Sequence, residues 1–216
     1  MVISIDRHPT ATDPAEAYAR PADRATIEAL AEALRGRGYE VHVARDRDDA
    51  RTTILGLIPD GASVGQGASL TLEELGVTAE IESSGRVDAI RPRLRAMDRA
   101  TQRSEMRKLG ASPDVWLNSA QAITRDGEIV IVSFGGSQLG PIASGAGRVI
   151  LAVGAQKIVP DLVAALRRVE EYSLPRESAR LQATYGIPSA INKVLILNGE
   201  TPGRTTIVLV PEAVGQ

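Results

Sequence analysis

The stretch Arg148–Gly154, "RVILAVG", decides the fold. It is apolar at every position from Val149 to Val153, so it reads as a strand buried on both faces. Strands of that kind belong to parallel sheets covered by helices. On its C-terminal side, "DLVAALRRVEEY" from Asp161 reads as a helix. On its N-terminal side lies a glycine-rich segment, "SFGGSQLGPIASGAG" (133–147), and before that two β-rich runs, "DVWLNSAQAITRDGEIVIVS", joined at the hairpin signal Asp126-Gly127. Further out, "ATIEALAEALRGRG" puts Ile27, Leu30, Ala31 and Leu34 on one helical face. "YEVHVA" alternates as a strand, with Val41 and Val43 on one side and His42 on the other. "DDARTTILGLIP" carries a second helical stripe, Ala50, Ile54 and Leu57. "ASVGQG" and "AEIESS" read as short strands. "RPRLRAMDRATQRSEMRKLG" reads as a basic helix anchored by Leu94 and Met97, and "NKVLILNG" and "TTIVLVPEAVG" supply two more strands. This alternation predicts an α/β fold with a mainly parallel sheet. Residues 1–20 read as an extended N-terminal arm suited to a subunit contact, and residues 21–216 as a single α/β domain.

Composition narrows the function. The chain has 216 residues, a net charge of −2, 3% aromatic residues and no cysteine. At roughly 150 residues per domain this allows one large domain. The absence of cysteine excludes disulfides, thiolate metal sites and a cysteine nucleophile. Near-neutral charge and few aromatics argue against nucleic-acid partners. There is no apolar run of membrane-spanning length, and the first residues have no basic start leading into an apolar core. The expectation is a soluble, cytoplasmic protein without a membrane span.

Two glycine-rich stretches carry the candidate chemistry. In "SVGQGASLTLEELG" (63–76), Gly65 and Gly67 permit a sharp turn and close backbone approach. Thr71 with Glu74 has capping-box spacing, and Ser69 is an alternative cap. A helix starting here turns free N–H groups toward an anion; the same residues also serve a plain strand–helix turn. The P-loop lysine and the third Rossmann glycine are missing, so no nucleotide fingerprint is present. In the second stretch, Gly135, Gly136, Ser137 and Gln138, with Ser144, offer a long neutral lip of the kind that lines ligands. Asn118, Ser119 and Gln121 sit at a strand junction, where they either orient a substrate or satisfy backbone groups. Lys157 follows the buried strand and places a positive charge at the same sheet edge. Glu73 and Glu74 are the acids beside the first loop and the candidates for a general base, although capping explains Glu74 equally well. The arginines at 91, 93, 95, 99, 103 and 107 interleave with Asp98 and Glu105 and read as a solvated face. His8 and His42 have no neighbouring partners, so no metal site is expected. No Gly-x-Ser-x-Gly elbow is present.

Through "SVGQGASLTLEELG", "AITRDGEIV", "GRVILAVGAQKIVPDLVAALRRV" and "PGRTTIVLVPEAVG", in this order and spacing, the chain resembles the lactate-utilisation (LUD) domain family from about Ala25 to Gly215. The resemblance implies a modified Rossmann-like three-layer fold, like that of the ribose-phosphate isomerase, glucosamine-phosphate deaminase and CoA-transferase group, with a ligand among glycine-rich loops. It implies an accessory role in lactate or organic-acid utilisation, binding a small anionic metabolite or a cofactor phosphate. It also implies protein partners in an organic-acid oxidation complex and is compatible with a homo-oligomer. The alternatives are an enzyme of that fold group (an isomerase, CoA transferase or cyclo-ligase) and a non-catalytic assembly subunit; the cofactor is unknown. The chain departs from the family's commonest form at Gln121, where an asparagine is usual, and at Ser133 and Gln138, where an aspartate and an arginine are usual. "YGIPSAINKVLILNG" replaces a cysteine-bearing segment.

Overall fold

The structure is a computed structural model that describes residues 14–216. Of the arm expected over residues 1–20, residues 1–13 lie outside the described residues, and α1 (Pro14–Ala19) is a short helix rather than extended chain. Helix α2 (Arg24–Gly36) starts where the Asp23 side chain accepts the Thr26 N–H, and it buries Ile27, Leu30, Ala31 and Leu34, the expected face. Then follow β1 (Glu40–Val43), α3 (Arg47–Gly56) and β2 (Ser63–Gln66). Two helices succeed β2: α4 (Leu70–Glu74) and α5 (Val77–Ser83). The expected strand "AEIESS" is therefore helix. Gly76, at φ 69°, breaks the chain between the two helices, and Val77 and Ile81, one helical turn apart, are both buried. After the two-residue strand β3 (Asp88–Ala89), the basic stretch forms two helices instead of one, α6 (Ile90–Ala96) and α7 (Arg103–Ala111). They part where the Asp98 carboxylate accepts the Ala100 N–H and the Thr101 hydroxyl, a local bond that competes with helix.

The remaining elements are β4 (Val115–Asn118), β5 (Ala122–Thr124), β6 (Ile129–Ser133), β7 (Arg148–Gly154), β8 (Ile158–Val159), α8 (Leu162–Arg168), α9 (Leu174–Tyr185), β9 (Lys193–Leu197) and β10 (Thr205–Val210). A π-helical turn, Val169–Ser173, joins α8 to α9. The hairpin β5–β6 turns at Asp126-Gly127 as expected, closed by the Gly127 N–H on the Thr124 carbonyl at 3.0 Å.

The strands form two sheets. One has six parallel strands in the order β1-β10-β7-β4-β2-β3; the other is mixed, in the order β8-β5-β6-β9. The mainly parallel sheet is as expected, while the separate small sheet was not foreseen. Strand β7 lies inside the large sheet, and its alternate residues serve two cores. Val149, Leu151 and Val153 pack with α2 and with Ile123, Ile129 and Ile131 of the small sheet. Ile150 and Ala152 pack on the opposite face with Ile54 of α3, Leu72 of α4 and Ile81 of α5. The outer face of the small sheet packs on α8 through Ala122, Val130, Val159 and Ala165. All neighbouring strands of the large sheet run the same way, so β2, β4 and β7, which are adjacent, open at one edge. Ligands gather at that carboxyl edge in open parallel sheets.

Candidate functional site

A cavity of about 980 Å³ opens at this edge. Its walls come from the loop after β2, the loop after β4, the glycine-rich loop after β6, the turn after β7, and helices α7 and α9. Among the expected ligand-binding residues, Gly67, Ser69, Thr71, Asn118, Gln121, Gly135, Gly136, Ser137, Gln138 and Lys157 all line it. Both glycine-rich stretches thus reach one cavity, although they follow strands of different sheets. Gly65 does not line it. Gly65 is needed because a Cβ there would collide with the ring of Trp116 on the neighbouring strand.

Ser69, not Thr71, is the N-cap of α4: its hydroxyl accepts the Leu72 N–H at 3.4 Å. That shift of register carries Thr71 inside the helix with its side chain buried. Neither Glu73 nor Glu74 reaches the cavity. Glu74 accepts the Gly215 N–H at 2.9 Å and so holds the C-terminal segment, while Glu73 faces Arg91 at 3.7 Å. The general-base role expected of these two acids finds no geometric support.

Lys157 is 2% exposed and reaches the cavity floor from a 3-10 turn just past β7. Its Nζ donates to Thr71 Oγ1 at 2.9 Å and to Ser119 Oγ at 3.0 Å. No carboxylate among the described residues lies within ion-pair distance of it. Burial pushes its pKa down to about 7, Arg168 adds to that shift and Glu74 opposes it. Arg168, at the end of α8, is itself fully buried without a carboxylate partner among the described residues. It donates to the Gln121 carbonyl and the Ser173 hydroxyl, both on cavity-lining residues, and its guanidinium lies 4.8 Å from the Tyr172 ring centre. Burial lowers its pKa to about 10.

The neutral groups on the walls are partly committed. Gln121 Oε1 accepts the Val132 N–H at 2.9 Å, leaving its Nε2 without a partner among the described residues. Gln138 Oε1 accepts the Ser133 hydroxyl, and that hydroxyl in turn accepts the Gly136 N–H at 2.7 Å, which shapes the glycine-rich lip. The departures at Ser133 and Gln138 therefore form a neutral pair bonded to each other. The indole Nε1 of Trp116 is buried beside the cavity with no partner among the described residues.

The mouth was not legible in the sequence. Of the arginines expected on a solvated face, Arg91, Arg93 and Arg95 do pair with Glu82 or Asp88. Arg99, Arg103 and Arg107 are exposed as expected and also line the cavity, with no carboxylate partner among the described residues. Arg180 and Glu177 of α9 line it as well and pair with each other at 2.6 Å. Ser119, read in the sequence only as a neutral group, is bonded to the buried amine. The described residues hold no group of three or more His, Asp or Glu side chains placed to share a metal ion, and no helix long and apolar enough to cross a membrane.

Comparison with known proteins agrees with this fold. The LUD domain model matches residues 27–210. The crystal structure of a DUF162 family protein from Deinococcus radiodurans superposes with a TM-score of 0.51 at 13% identity, over 88% of this chain and 99% of that one. No protein of curated function matches the chain.

Proposed function

Since the chain belongs to the LUD domain family, which is associated with lactate utilisation, we propose that the cavity binds a small anionic metabolite, a carboxylate or phosphate compound of organic-acid metabolism. One observation carries this reading. The cavity is lined by four guanidinium side chains, Arg99, Arg103, Arg107 and Arg180, together with the Lys157 amine, against one carboxylate side chain, Glu177, which is already paired. Guanidinium groups suit carboxylate and phosphate oxygens because their planar forks donate two parallel hydrogen bonds. The neutral hydroxyls and amides deeper inside, at Ser69, Asn118 and Gln121, would orient the remainder of the ligand.

The chain contains a single tryptophan, Trp116, and it lines the cavity. Its fluorescence therefore reports occupancy. Titration with sulfate and with succinate, whose charges are constant from pH 7 to 9, is expected to change the emission in a saturable way and to raise the melting temperature. A ligand present at 100-fold its dissociation constant adds about 2.7 kcal/mol. The uncharged diamide of succinate should do neither. Arg103→Gln and Arg107→Gln should weaken the anion response. If the dianion and the diamide act alike, the cavity is not an anion site.

A further inference from the structure

Thr71, Ser119 and Lys157 meet at the cavity floor, where the Thr71 hydroxyl also lies 3.3 Å from the Val214 carbonyl and the Ser119 hydroxyl 3.3 Å from the Ala120 carbonyl. The amine bonds both hydroxyls, and Thr71 Oγ1 lies 3.3 Å from Ser119 Oγ. Each comes from a different chain segment, and all three line the cavity. We propose that Ser119 is the nucleophile and Lys157 the general base of an acyl-transfer site that hydrolyses a small anionic ester or thioester, the anionic part resting on the reading of the cavity given above. The arrangement has the parts such chemistry requires: a nucleophile and a base within hydrogen-bond reach, and a third group, Thr71, that orients the base. A purely structural buried lysine is better served by a carboxylate than by two hydroxyls, because an unpaired ammonium in an apolar interior is costly. Without a carboxylate partner the amine can exist neutral near pH 7, as a base must. The charged groups that act on it are Arg168, which favours the neutral form, and Glu74, which opposes it while tied to the Gly215 N–H.

The steps balance without an oxidant or a second cofactor. The neutral Lys157 amine takes the Ser119 hydroxyl proton as Oγ bonds to the acyl carbon. The bond from that carbon to the alcohol or thiol breaks, and the leaving group takes the proton from the Lys157 ammonium. Water then attacks the acyl-serine and Lys157 accepts its proton. The Ser119 ester bond breaks, Oγ regains a proton, and the carboxylic acid leaves. The Nε2 of Gln121, without a protein partner among the described residues, is the candidate donor to the acyl oxygen.

The test uses the full chain with two chromogenic esters, 4-nitrophenyl hydrogen succinate (anionic acyl group) and 4-nitrophenyl acetate (neutral). Alongside these, a fluorophosphonate probe is read by intact mass and peptide mapping. The expected result is faster release of nitrophenolate from the anionic ester, rising with pH through about 7, and one fluorophosphonate adduct on Ser119. Ser119→Ala and Lys157→Met should each lower the rate by about 100-fold or more. The probe experiment needs no variant, so a variant that fails to fold leaves the proposal testable. Neither turnover nor an adduct, in protein that sulfate still stabilises, overturns the acyl-transfer site and leaves the anion cavity standing. An adduct on Ser119 with equal turnover of both esters upholds the serine–lysine pair and overturns the anion reading.

Discussion

At the scale of single residues, the glycines of the first loop are required for space. Gly67 is not among the glycines with positive φ, but a Cβ there would run into the Asn118 side-chain oxygen. Gly67→Ala is therefore expected to destabilise by about 1–3 kcal/mol through overpacking. Most of that cost should vanish in an Asn118→Ala background. Urea midpoints for the four proteins of this double-mutant cycle measure the coupling; equal costs in both backgrounds would remove Asn118 as the cause. Gly136 differs: it holds φ 87°, a conformation that side chains rarely adopt. The sequence marked both glycines as special. It could not separate the two causes, because one is a property of the residue's own backbone and the other of a neighbour 51 positions away in numbering, Asn118. The pairing of Lys157 with Ser119 was hidden for the same reason. A lysine after a strand is commonly solvated, and nothing local announces the hydroxyls that meet it.

At the scale of elements, the passage from α8 to α9 shows how a buried charge holds several segments together. The π turn bonds the Leu174 N–H to the Val169 carbonyl, just before Pro175, which has no N–H to offer. Arg168, at the start of that turn, ties it to the loop after β4 through the Gln121 carbonyl and to α1 through the Tyr18 carbonyl. Lysine cannot reproduce this fork. Arg168→Lys is expected to cost about 1–3 kcal/mol, the penalty for leaving buried acceptors unpaired. The loss should appear as a lower denaturant midpoint with an unchanged m-value, and a wild-type midpoint would show that the fork is dispensable. Elements with a strong apolar period, such as α2 and β7, were legible because their burial pattern is written in consecutive residues. Helix α9 was not, since none of its residues is buried. "AEIESS" was misread because a short run satisfies both periods, and only packing on α3 and the large sheet selects the helix.

At the scale of the whole molecule, Lys157 makes stability depend on pH. Its pKa falls from 10.5 in the unfolded chain to about 7 in the fold. Below pH 7 both states hold the proton, and the cost of burying the charge is fully present. Between pH 7 and 10.5 the unfolded chain binds more protons than the folded one, so this group's contribution rises with pH, at a limiting slope of about 1.4 kcal/mol per unit. Lys157→Met removes the charge at similar volume. Its stability relative to the unaltered chain is expected to be highest at pH 6 and to decline steadily toward pH 9.5, as read from urea denaturation at each pH. A difference independent of pH would mean that the amine is not buried as a titrating group.

The sequence by itself determined the α/β class, the strand buried on both faces, the helix faces and the two glycine-rich loops. Each of these is encoded by residue period or by the needs of a local backbone. Only the tertiary structure decided that β2, β4 and β7 are neighbours, and therefore that Thr71, Ser119 and Lys157 share one cavity floor. It also decided that three arginines of a basic stretch turn to the cavity while three others pair with acids. Strand order and helix orientation follow from the simultaneous packing of distant segments. A one-dimensional pattern records which residues seek burial, but not which partners they will find.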